Sequence, residues 1–131
     1  MQSILWIMVI AAVLHVFEEY HFNFVGWVQK HYIKITLNEF IVINSLFILL
    51  TVIGAIVFSV FPILSFSVGS LIFINALIHI AASIKFKNYT PGLFTSLILY
   101  LPLSITLFII GFHLAILTKN QLVISFLLGV I

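Results

Sequence analysis

His15, Glu18 and Glu19, in the string HVFEE, place an imidazole and two carboxylates near the end of the first apolar segment. At about 100° per residue in a helix they fall within a sector of roughly 100°, so the three side chains can converge on one point. Asn75 and His79, four residues apart, stack on one face of a later apolar segment, and Ala82 continues that stripe. Imidazole and carboxylate together suit a divalent ion such as Zn, Mn or Fe, with an open position for an activated water. His15, Glu19 and His79 are the candidate ligands. Glu18 is a further ligand, an outer partner or a general base, and Asn75 a group that orients ligand or substrate, so that His15, Glu18 and Asn75 are the candidate catalytic residues. The chain has only three acidic residues, too few for the four-Glu, two-His dinuclear site of ferritin-like bundles. One metal per chain is the expected limit.

The same residues allow other readings. Without a metal, His15 and Glu19 could shuttle protons on a lipid-soluble substrate, burial drawing both groups toward working pH. Intramembrane ionisable groups also mark the pathways of proton-coupled carriers; lacking inverted repeats, this chain would then have to form a homo-oligomer to enclose a path. A structural reading makes Glu18 and Glu19 an interfacial boundary, where carboxylates reach the headgroups at low cost. Against the last stand His15, Asn75 and His79, deeper and shorter, which need one another as partners.

The elements that must hold these groups follow from composition. Of 131 residues, 64% are hydrophobic and 6% charged, against roughly a quarter charged in soluble domains, and runs of about eighteen apolar residues point to a bilayer. The expectation is an all-α integral membrane bundle, one domain over residues 1–131. Its helices span about 3–20, 38–61, 63–84 and 93–117, with an interfacial segment at 21–37 and a short half-helix at 122–131. Asn38 is the expected N-cap of the second span, Pro62 its stop, and Pro102 and Gly111 predict a kink and a close contact in the fourth. Ser, Gly and Ala in the third span let neighbours approach and place it inside the bundle. His15, Asn44, His79 and Tyr100 then reach a similar depth, one from each helix. Glu39 lies nearer the mouth and points away from Asn44.

Lys30, Lys34, Lys85 and Lys87 fall at the end of the bundle where helix one stops and Lys119 at the other, so the positive-inside rule puts the polar layer on the cytoplasmic side and the N-terminus outside. A net charge of +2 gives no basis for binding nucleic acid. The absence of Cys excludes thiolate ligands and disulfides. The first segment lacks a basic leader and carries two Glu, so it reads as a retained helix. No serine-hydrolase elbow, P-loop or HExxH motif is present. His21, His31 and His113 read as packing or interfacial residues, and the string from Tyr89 to Gly92 as a turn from which Tyr89 could cover the cluster. Two His could ligate a haem, but Glu18 and Glu19 beside His15 make poor porphyrin surroundings.

HVFEE at the end of the first helix, the aromatics and Trp27 after it, His79 in a polar patch, and YTPG (Tyr89 to Gly92) followed by Thr95 together resemble the small bacterial membrane proteins called HXXEE domain proteins. The resemblance covers most of the chain. It implies an integral membrane protein with a functional His and Glu cluster, and it brings no established reaction.

Overall fold

The computed structural model describes residues 1–130; residue 131, the last of the expected 122–131 segment, lies outside the described residues. The described residues form helices and turns with no strand: α1 (Gln2–His21), α2 (Phe24–His31), α3 (Leu37–Val57), α4 (Pro62–Phe86), α5 (Leu93–His113) and α6 (Lys119–Val130). Four of them, α1, α3, α4 and α5, are long and apolar enough to cross a membrane.

Local chemistry sets their ends, several of which differ from the expected positions. Thr36, rather than Asn38, caps α3: Thr36 Oγ1 accepts from Glu39 N at 3.2 Å while Glu39 Oε2 accepts from Thr36 N at 2.7 Å, a reciprocal capping box. Helix α3 ends at Val57 instead of 61. Pro62 pushes Phe61 out of the helical region (φ −129°, ψ 66°), and the N–H groups of Val60 and Phe61 both fold back to Val57 O. Helix α5 ends at His113 instead of 117, because Ala115 takes a left-handed conformation (φ 49°) and Ile116 N returns to Gly111 O at 3.1 Å. The final helix starts at Lys119 rather than 122, since Thr118 and Gln121 build a second capping box.

The distortion expected at Pro102 falls just before it. Residues Ser96–Tyr100 form a π turn in which Leu101 N donates to Ser96 O, five residues back. A proline offers no N–H to the preceding turn, and the local register widens there.

Helix α4 packs against α3, α5 and α6, whereas α1 packs against α3 and α5. Helices α1 and α4 therefore face each other diagonally across the bundle, and α4 is the most enclosed of the four long helices. Small residues permit this closeness: the Phe66 ring lies where a side chain on Gly111 would stand, and the Leu107 side chain does the same at Gly69. Leu5, Met8, Phe66, Ile72, Tyr100 and Leu107 fill the centre. Large apolar residues such as Ile10, Phe17, Val42 and Ile98 point outward, as expected where the surroundings are lipid tails.

Candidate metal centre

The diagonal pairing brings the HVFEE end of α1 against the second half of α4. His15 and Glu19, four apart on α1, share the inward face, and Ala11 and Ala12 keep that face narrow. His79 comes across from α4. All three side chains are buried, and one ligand atom from each lies within 4.8 Å of the others. His15 Nε2 is 3.5 Å and His79 Nε2 is 3.3 Å from the same Glu19 oxygen, Oε1. The two imidazoles meet edge to face with centroids 4.8 Å apart. This group could hold a metal ion.

The donor spacing provides a physical check on that capacity. Tetrahedral ligands bound at roughly 2.0–2.1 Å stand about 3.3–3.4 Å from one another, close to the two distances to Glu19 Oε1, while the remaining pair of donors stands within 4.8 Å. Both distances to Glu19 are longer than a good N–H···O bond, and His15 Nε2 is buried with no hydrogen-bond partner.

Outer partners fix the His15 ring. Its Nδ1 lies 2.8 Å from Thr95 Oγ1, and that hydroxyl in turn reaches Gly92 O at 3.3 Å. A hydroxyl has one proton; given to the carbonyl, it leaves oxygen lone pairs to accept from His15 Nδ1–H. The lone pair on Nε2 is then free and faces the cluster, the tautomer a metal requires. The Tyr100 ring stacks on His15 with centroids 4.4 Å apart, held there by the π turn, and its hydroxyl is buried without a partner.

Glu18 turns the other way. Its carboxylate accepts from the backbone N–H groups of Gly92 (3.1 Å), Phe94 (3.0 Å) and Thr95 (2.8 Å), and from the Tyr89 hydroxyl. These N–H groups have no helical acceptor at the start of α5, where a carboxylate is favoured. Glu18 thus clamps α5 to α1 and, through Thr95, sets the His15 ring. Burial and the neighbouring Glu18 carboxylate raise the Tyr89 phenol above the ordinary tyrosine value, so it remains a donor.

Gly92 lets the loop pass over both imidazoles. Its φ is +93°, and a Cβ there would stand 2.6 Å from His79 Cε1 and 2.7 Å from His15 Cε1. Only glycine meets both conditions.

Among the residues singled out from sequence, the structure brings His15, Glu19 and His79 together. Asn75 lies beside them: with Glu19, His79, Asn44 and Thr90 it lines a cavity of about 510 Å³, and its Oδ1 is buried without a partner. Asn44 Nδ2 donates to Phe40 O at 3.1 Å, and Glu39 belongs to the α3 cap. His31 Nδ1 donates to Trp27 O at 2.8 Å; His21 and His113 are exposed and outside the cluster. The sequence marks Thr90 and Gly92 only as parts of a turn and gives Thr95 no role beyond following it. The spacing of Thr95 and Tyr100 on one apolar helix could hint at the part Thr95 plays, but a π turn cannot be read from spacing.

Residues 6–107 match the family model described as a protein of unknown function with HXXEE motif. The chain matches no curated protein and no solved structure.

Proposed function

The chain belongs to the HXXEE-motif family of unknown function, and we propose that His15, Glu19 and His79 hold one divalent metal ion inside the bundle. The observation that carries this reading is the convergence of two buried imidazole Nε2 atoms on one carboxylate oxygen, at 3.5 and 3.3 Å. Two neutral nitrogens and one carboxylate leave an ion of charge +2 with a net positive charge and open positions, a donor set that serves Zn, Mn or Fe.

In this reading the protein is a membrane enzyme acting on a lipid-soluble substrate, and an ion held by these residues would supply Lewis acidity toward a substrate oxygen or water. The chain's own residues do the rest. Thr95 holds His15 in the ligating tautomer, Glu18 holds Thr95, and Asn75 offers a hydrogen bond to whatever enters the adjoining cavity. The lysine distribution supports the reading that this end of the bundle faces the cytoplasm.

A second reading has one observation in its favour: both imidazoles lie within ion-pair range of Glu19, so the trio could exchange a proton without a metal. Cobalt separates the two. Titrating the metal-stripped protein in detergent with Co²⁺ is expected to give a strong visible absorption saturating at one equivalent and absent in His79→Ala. Unchanged weak hexaaqua-cobalt absorption would favour the proton reading.

A further inference from the structure

The cavity beside the cluster opens sideways. Helix α2 roofs it with Trp27 and Val28, while Ile43 of α3 and Ile78 of α4 stand at its mouth, each 60% exposed on the bundle's apolar flank. Its walls are apolar except where it meets the cluster. Three of the lining residues each carry a buried polar atom with no hydrogen-bond partner: Asn75 Oδ1, Thr90 Oγ1 and His79 Nδ1. Such groups are costly to leave unpaired in an apolar setting, and in either amide orientation Asn75 has one hydrogen bond to offer.

Charge narrows the occupant. No Lys lines the cavity, and its one carboxylate is Glu19. Lys85 has its ammonium over the ring of Tyr32, a lining residue, 5.4 Å from the centroid. An anionic head drawn into the metal-free cavity would have no counter-charge from a lining side chain and would face the Glu19 carboxylate. Volume agrees: a space of about 510 Å³ lies in the range of pockets that hold one small molecule.

We infer that this cavity takes a single-chain amphiphile with an uncharged hydroxyl or carbonyl head, admitted from the bilayer between α3 and α4. The apolar chain lies under α2 and out through the mouth. The head hydrogen-bonds Asn75 and Thr90 and brings its oxygen toward the ion held by His15, Glu19 and His79; for that last contact the inference rests on the metal reading.

Photolabelling tests it. Purified protein in phosphatidylcholine nanodiscs is irradiated with a diazirine-bearing hexadecanol, the labelled peptides are mapped, and metal content is measured on the same samples. Labels are expected on the cavity-facing stretches of α3 and α4, competed by hexadecanol or hexadecyl acetate and, in metal-free protein, not by hexadecanoate. Ile78→Trp, a change at an exposed position that fills the mouth, is expected to lower labelling about tenfold with metal content unchanged. Labels spread over the lipid-facing sides of α3 and α5, equal in wild type and Ile78→Trp, would overturn the inference, as would competition by hexadecanoate in metal-free protein. One metal per chain without cavity labelling overturns the amphiphile and leaves the metal reading standing; cavity labelling without metal supports the amphiphile and removes the metal.

Discussion

Thr95 Oγ1 stands 2.8 Å from His15 Nδ1, and this single contact decides which imidazole nitrogen faces the cluster. Removing the hydroxyl without changing shape isolates that function. Thr95→Val is expected to weaken metal binding about 10–100-fold, the usual consequence of losing an outer partner of a ligating His. Thr95→Ser, which keeps the oxygen, is expected to bind nearly as the wild type does. Competition titrations against a chelator of known affinity measure both. Equal affinity in all three proteins would mean that Thr95 does not orient the ring.

The loop over the two imidazoles depends on Gly92. Gly92→Ala adds a methyl group where His79 Cε1 is 2.6 Å away, at a φ of +93° that disfavours any side chain. A loss of roughly 1–3 kcal/mol is expected from the backbone alone, with further loss as the imidazoles are displaced. Thermal unfolding followed by circular dichroism, with metal content on the folded fraction, would show both. A variant as stable as the wild type would place the loop differently.

Adjacent carboxylates are expected to behave differently. Glu18→Gln replaces an acceptor of backbone N–H groups by an amide that must turn an NH₂ toward some of them, costing roughly 1.5–3 kcal/mol; the folded protein should still bind metal. Glu19→Gln should abolish binding with a smaller change in stability. The opposite assignment of the two losses would exchange their roles.

Alkaline pH offers an independent probe of the Glu18 clamp. The Tyr89 phenol is raised in the folded protein, so its contribution is complete below the ordinary tyrosine value near 10 and is lost as pH rises through the higher folded value. Tyr89→Phe is expected to be less stable at neutral pH and to lose less stability between neutral and strongly alkaline solution. Parallel pH profiles for the two proteins would show that the phenol carries no such linkage.

Tyr100 has a buried hydroxyl with no partner and a ring stacked on His15. Tyr100→Phe keeps the stack and removes the unpaired group, so stability is expected to rise by up to about 1 kcal/mol with metal retained. Tyr100→Ala should cost about 3–5 kcal/mol through the cavity it leaves. A marked loss in Tyr100→Phe would reveal a partner for the hydroxyl.

The membrane-like bundle and three cluster residues could be read from the sequence because they depend on long-range composition and on the i,i+4 rule. His15 and Glu19 share a helical face, and His79 lies a similar distance from the corresponding end of its helix. Glu18 was grouped with them because angular proximity does not reveal partners. What turns it away is a set of backbone N–H groups created by Gly92 and the start of α5, which carry no side-chain signal. Tyr100 was placed at the right depth, but its stacking on His15 depends on a π turn that shifts register by one residue. The caps at Thr36 and Thr118 are legible as Thr-x-x-Glu and Thr-x-x-Gln, whereas Asn38 has Ile41 three residues on and cannot form such a box.

The most direct test is elemental analysis of detergent-purified protein after exhaustive dialysis, comparing the wild type with the His15→Ala, His79→Ala double variant. About one Zn, Mn or Fe per chain is expected in the wild type and none in the variant. Equal metal in both proteins, or none in a well-folded wild type even after incubation with each ion, would contradict the metal centre.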